Sequence, residues 1–249
     1  MISSSFFGAL IAGLLSCSSV LVVGCGDSGG AGTGGGGTGA GGNGSGGTGT
    51  GTGVDQPAAA ALYSPAIKTI VIEVDYGTGA EPYTGPMVGM GDTWDLFEKN
   101  AMGLFAGGDK TLVVPHTLAE MEELTDVPDQ DFDTDDILAL AGKHRTEAST
   151  ADKAALYLLW LPAYYKDKDG VQKNVLGVSL WDTGVIAMFK PVIASGGGGP
   201  LVSHFVEQTT LIHEFGHAAG LVNNGIAMAT PHQDEAHGAH CSNQDCVMY

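Results

Sequence analysis

The sequence predicts an α/β (α+β) domain with a mixed sheet over residues 55–249, and three observations predict it. Strand-length stretches rich in apolar and β-branched residues recur between positions 67 and 190. Capped helical patterns alternate with them. A longer helical pattern then runs to Gly220 and gives way to a short polar tail without regular periodicity. The first 54 residues stand outside this domain. Residues 1–24 are uncharged, with apolar runs over 6–15 and 20–23, and residues 26–53 are almost entirely Gly, Thr, Ser and Ala. Such a composition cannot bury enough apolar surface to offset its ordering entropy, so residues 25–54 read as a tether with a reach of roughly 30 Å.

Within the domain, residues 67–74 are rich in β-branched side chains and read as a strand, and residues 94–105 as a helix. A short strand is expected at 112–114. Residues 118–124 and 135–144 read as helices, the first with acidic residues along it and the second starting at acidic caps. Residues 155–164 form a long apolar run with three aromatics, a buried strand that meets Pro162. Strands at 175–180 and 185–190 are joined by Trp181, Asp182, Thr183 and Gly184, which have hairpin-turn chemistry. The flexible loop 195–200 leads into the last helix, with Ser203 as its expected N-cap and Gly220 as its left-handed stop. Phe205, Leu211, Ile212, Phe215, Ala218 and Ala219 supply that helix with a buried stripe.

The formal charge is −18, from 28 acidic and 10 basic residues, all of it after residue 24. This disfavours nucleic acid as a partner and favours solubility outside the cell. Asp126, Asp129, Asp131, Asp133, Asp135 and Asp136 form the densest acidic run. Its alternate carboxylates invite a structural Ca²⁺, although an EF-hand is excluded because Asp136 stands where the turn glycine belongs and Gly142 where the bidentate glutamate belongs. The competing expectation is a solvated loop that caps the next helix.

The chemistry concentrates in His213-Glu214-Phe215-Gly216-His217, followed by Ala218, Ala219 and Gly220, an H-E-x-x-H-x-x-G pattern on the last helix. Residues four apart lie on one helix face, so both imidazoles can meet one metal while Glu214 sits beside its open side. Zn²⁺ with three protein ligands keeps a fourth position for water and lowers that water's pKa to about 7, and an adjacent carboxylate can then take its proton. Five of the 8 histidines lie between His213 and His240, so the tail is expected to supply the third ligand.

Two resemblances extend this reading. Val22-Val23-Gly24-Cys25 resembles a bacterial lipobox, which implies that residues 1–24 are a lipoprotein signal peptide and Cys25 the lipidated first residue. Leu14-Leu15-Ser16-Cys17 is a second such sequence. A membrane span is disfavoured, because Gly24 and residues 16–19 interrupt the apolar length. The motif helix and Cys246-Val247-Met248 resemble the metzincin clan of zinc metallopeptidases, and His240-Cys241 through Cys246-Val247-Met248 is similar to the archaemetzincin pattern of a third histidine followed by C-x-x-x-x-C-x-M.

The resemblance implies a metzincin-like zincin domain with one catalytic Zn²⁺, Glu214 as base and Met248 in a Met-turn under the metal. It also implies substrate antiparallel to an edge strand, for which order alone suggests 185–190. The clan's third histidine falls at Asn223 here, with residues 223–239 inserted ahead of His240. His240 therefore takes the role by its Cys partner and its distance to Met248, with His237 as the alternative and His232, Asn223, Asp234 and Glu235 behind it. Cys241 and Cys246, the only cysteines of the domain, are expected to pair as a disulfide in an exported chain.

The expected protein is a monomeric, lipid-anchored zinc endopeptidase of the cell envelope acting on proteins or peptides. The alternative is a cell-surface binding or scaffold lipoprotein with a structural or inactive zinc site. Mass spectrometry of the mature N-terminal peptide should find Cys25 carrying lipid; an unmodified Cys25 behind a retained apolar leader would refute the lipoprotein reading.

Overall fold

The run Lys-Ala-Ala-Leu-Tyr-Leu-Leu-Trp-Leu is apolar at nearly every position, as befits a strand covered on both faces. The computed structural model, which describes residues 59–105, 109–196 and 199–249, makes it the centre of the sheet. The leader, Cys25 and the tether lie outside the described residues. Among the described residues no helix is long and apolar enough to cross a membrane.

The strands are β1 (Thr69–Gly77), β2 (Pro86–Met87), β3 (Gly91–Asp92), β4 (Thr111–Val113), β5 (Glu122–Leu124), β6 (Lys153–Leu161), β7 (Tyr165–Asp167), β8 (Gly170–Gln172), β9 (Gly177–Leu180) and β10 (Val185–Phe189). The α-helices are α1 (Ala59–Leu62), α2 (Thr93–Gly103), α3 (Thr134–His144), α4 (Lys190–Ser195) and α5 (Pro200–Ala218). The main sheet runs β4-β1-β6-β10-β9, with β5 also paired to β1. All its pairings are parallel except β9 against β10, so the domain is mixed α/β with a mainly parallel sheet.

Three expectations change. Residues 118–124 are a 3₁₀ turn (Leu118–Glu120) and then β5 rather than a helix. The Thr117–Glu120 capping box starts a turn, but register with Asp75, Tyr76 and Gly77 of β1 draws the following residues into the sheet, a tertiary pairing that outweighs local propensity. The strand before the motif helix, β10, is interior, with β6 on one side and β9 on the other; the free edge belongs to β9. Helix α5 has its N-cap at Gly199, whose φ of 81° only glycine adopts readily, with Pro200 at its first position; Ser203 lies inside the helix rather than at its cap.

The acidic run holds no converging group. Asp126 pairs with Lys143 and His144, Asp131 accepts the Tyr164 N–H, Asp133 caps α3, and Asp136 binds Lys166 at 2.7 Å. Four of its six carboxylates are taken by caps, backbone N–H groups and ion pairs, and the run supplies no converging ligand group among the described residues, so the capping role replaces the expected Ca²⁺ site. The hairpin β7–β8 and the short helix α4 were not anticipated, since neither carries an apolar period long enough to register.

Helix α5 is held against the sheet by aromatic packing and one buried carboxylate. Phe97 of α2 meets Phe215 edge-on at 5.3 Å between centroids, and Trp94 packs on Trp160 of β6 at 5.9 Å. Glu207, buried two turns before the motif, accepts the Trp160 Nε1–H at 3.0 Å and the Tyr83 N–H at 2.8 Å, and pairs with Lys190 at 2.6 Å. The Lys190 ammonium also donates to the Glu81 carbonyl at 2.6 Å. One side chain thus joins α5, β6, the start of α4 and the loop after β1. Glu207→Ala leaves a largely buried ammonium and an indole N–H without their acceptor, and should cost about 3–5 kcal/mol in denaturant unfolding; a loss below about 1 kcal/mol would show that the network is not structural.

Candidate metal centre

The sequence after α5 makes the centre possible by turning the chain back. Gly220, at φ 82°, ends the helix: its N–H donates to the His217 carbonyl at 2.9 Å, and the Leu221 N–H to the Gly216 carbonyl at 3.0 Å, a Schellman arrangement. A Cβ there would stand 2.7 Å from Ile226 and 2.8 Å from Ala59, so glycine is required by space as well as by φ. Val222 and Asn223 follow with φ of 53° and 62°, a strained path for a β-branched residue. The tail then pairs with itself, the Asp234 N–H reaching the His240 carbonyl at 2.8 Å and the Ser242 N–H the His232 carbonyl at 2.7 Å. This hairpin swings His240 over the helix.

His213, His217 and His240 come together, each offering one ring nitrogen within 4.8 Å of the others. The facing Nε2 atoms of His213 and His217 are 3.0 Å apart, and the His240 ring lies 5.1 Å from each of the other two, centroid to centroid. Second partners turn the right nitrogens inward: His213 Nδ1 bonds the Val247 carbonyl at 2.7 Å, and His240 Nδ1 bonds the His237 carbonyl. A carbonyl only accepts, so Nδ1 carries the proton in both rings and Nε2 keeps its lone pair for a cation. Burial lowers the His213 pKa and brings that of His217 down to about 3, helped by His213 and His240 beside it, so both rings are neutral near pH 7 and able to ligate a cation.

Glu214 is 3 % exposed. Burial pushes its carboxyl up to about 8, opposed by the Ser179 backbone N–H that donates to it from β9. Its Oε2 has no hydrogen-bond partner among the described residues. A buried oxygen left in this way, on the residue after His213, fits a site completed by a cation and a water, and the three converging imidazoles suit a divalent metal. Gly177 at the start of β9 allows the approach, because a Cβ there would lie 2.9 Å from Glu214 Cγ and 3.1 Å from Met188 Sδ.

The alternatives for the third ligand are placed elsewhere. His237 is turned to solvent against Asp234 at 2.7 Å, and contributes its carbonyl rather than its ring. His232 Nδ1 lies 3.3 Å from Cys241 Sγ, and the Asn223 amide donates to Gln233 at 2.6 Å while accepting the Met228 N–H. Asp234 is occupied by His237 and by the Ala236 N–H at 3.1 Å, and Glu235 is exposed. Met248 is buried under the motif with its sulfur directly against Gly216.

The expected disulfide is not formed: Cys241 and Cys246 are free thiols. Cys241 Sγ instead has His232 at 3.3 Å and the Asn243 N–H at 3.4 Å, and the Cys246 thiol, raised by burial, is hydrogen-bonded to Cys241. Hydrogen bonding satisfies the pair without a covalent link. A second group, Asp92, Asp95 and His116, also converges, but Asp92 caps α2 and His116 pairs with Asp95 at 3.1 Å. The contributions of Val247, Ser179, Gly177 and the His237 carbonyl were not legible in the motif, since each acts through backbone or through the lack of a side chain. Comparison with family models, with curated proteins and with solved structures found no match for this chain.

Replacing His213, His217 or His240 by Ala should reduce divalent-metal affinity by at least 10-fold to 100-fold in titration, the range for losing even a supporting partner, whereas His237→Ala, His232→Ala and Asn223→Ala should each stay within a few-fold of wild type. Full affinity in His240→Ala with loss in His232→Ala would assign the third ligand wrongly.

Proposed function

We propose that the chain is a zinc-dependent endopeptidase of the metzincin clan, nearest the archaemetzincin type, exported and held at the cell envelope by lipid on Cys25. The observation that carries the reading is Glu214. A structural metal site needs closed coordination and has no use for a buried carboxyl with an unpartnered oxygen beside it. The residues that would hold zinc are His213, His217 and His240. When bound there, zinc supplies the Lewis acidity that polarises a scissile carbonyl and acidifies a water.

The chain's own groups account for the rest. The charge of a cation on the imidazoles would offset the burial that raises the Glu214 carboxyl to about 8, so that as a carboxylate, oriented by the Ser179 N–H, it can take the proton from the attacking water and return it to the leaving amine. The free edge of β9 offers backbone donors and acceptors to an extended peptide laid across the metal face of α5. Met248 and the Val247 carbonyl hold the floor and the His213 ring.

Glu214→Gln removes the base and no ligand, so the variant should keep one zinc by elemental analysis and lose about 10²–10⁴-fold in hydrolysis of a generic protein substrate. A chelator should abolish wild-type activity and added zinc restore it. Undiminished hydrolysis by Glu214→Gln, or a zinc-loaded wild type inert on proteins and peptides, removes the reading.

A further inference from the structure

Beyond the metal face, β9 ends at a side chain with no structural task. Trp181 is 67 % exposed, whereas Trp94 and Trp160 are 1 % and 0 % exposed in the core. It opens the turn between β9 and β10, in which Asp182 takes a left-handed φ of 55°. Asp182 is itself exposed, and none of the ion pairs among the described residues uses it. The indole nitrogen stands 4.0 Å from where a Cβ on Gly225 would be, so the ring faces the turn that follows α5. Trp181 therefore lies along the same edge as Ser179, about two residues beyond the backbone N–H that reaches Glu214.

An exposed indole with an adjacent unpaired carboxylate is a receptor for a cation on a long apolar stem. The ring face attracts an ammonium or guanidinium, the methylenes cover the apolar surface, and the carboxylate takes the charge. The excess of 28 acidic over 10 basic residues adds a long-range field of the same sign. We infer that Trp181 and Asp182 form a specificity subsite for a lysine or arginine side chain of the substrate. An extended peptide added antiparallel to β9 passes Trp181 before it reaches Glu214, so the basic residue lies about two positions on the amino-terminal side of the scissile bond. The direction of the chain rests on the peptidase reading; the cation preference does not.

The test therefore separates binding from hydrolysis. Zinc-loaded Glu214→Gln protein is titrated with two peptides that differ only in arginine or norleucine at that position, read by tryptophan fluorescence and by calorimetry. The arginine peptide should bind roughly fivefold more tightly, as expected for one partly exposed cation–π contact with an ion pair. The preference should disappear in Glu214→Gln with Trp181→Ala, and shrink with Asp182→Asn. Equal binding of the two peptides, or a preference untouched by Trp181→Ala, overturns the subsite. Hydrolysis of the same peptides by wild type reports separately on the peptidase reading: cleavage without arginine preference leaves that reading standing and removes this one.

Discussion

The site depends on the contact between Gly216 and the sulfur of Met248. Any side chain at Gly216 would occupy the space that Met248 fills, so the tail can sit against the motif helix only because the residue just before the second histidine has none. The rest follows from that closeness. With Met248 in place, the Val247 carbonyl reaches His213, and the Met248 carbonyl accepts the Cys241 N–H next to His240. The metal face is therefore a property of helix and tail together. The tail contributes only a small apolar cluster of its own, Val222, Cys241 and Met248 with Leu221, Met228 and Cys246 around it. A cation held by His213, His217 and His240 would add its binding free energy to that cluster and so tie the conformation of the tail to the ion.

Two carboxylates on the same helix illustrate how environment divides their roles. Glu207 and Glu214 are both buried, two turns apart. Glu207 accepts two N–H groups and an ammonium, so its charge is compensated and its geometry is fixed. Glu214 accepts one backbone N–H and keeps its Oε2 without a partner among the described residues. A saturated carboxylate holds architecture; an unsaturated one beside a Lewis acid can exchange a proton. The difference comes from what β9 and α4 bring to each, and a motif read along the helix alone cannot separate them.

How far the sequence could be read depended on the range of the interactions involved. The apolar run of β6, the β9–β10 hairpin and the motif helix declare themselves through local periodicity and turn chemistry, and they were placed to within a few residues. β5 was misread because its identity is set by pairing with β1, dozens of residues away. The edge strand was misassigned for the same reason, since strand order is not visible in chain order. His240 was legible through its Cys241 neighbour and its spacing to Met248, but the carbonyls of His237 and Val247 that orient the rings have no side-chain signature. The thiol pair was taken for a disulfide from compartment alone, and three-dimensional hydrogen bonding changes that assignment.

The turn at Gly220, with Val222 and Asn223 in left-handed backbone behind it, sends the chain away from the helix axis just after the second histidine. The third imidazole consequently returns on a hairpin instead of on the next stretch of backbone. Closing a loop of that length costs only slightly more entropy than closing a short one, because the penalty grows with the logarithm of length. The gain is a hinge. The hairpin's own hydrogen bonds lie within the tail, so its opening is a local event and not an unfolding of the domain.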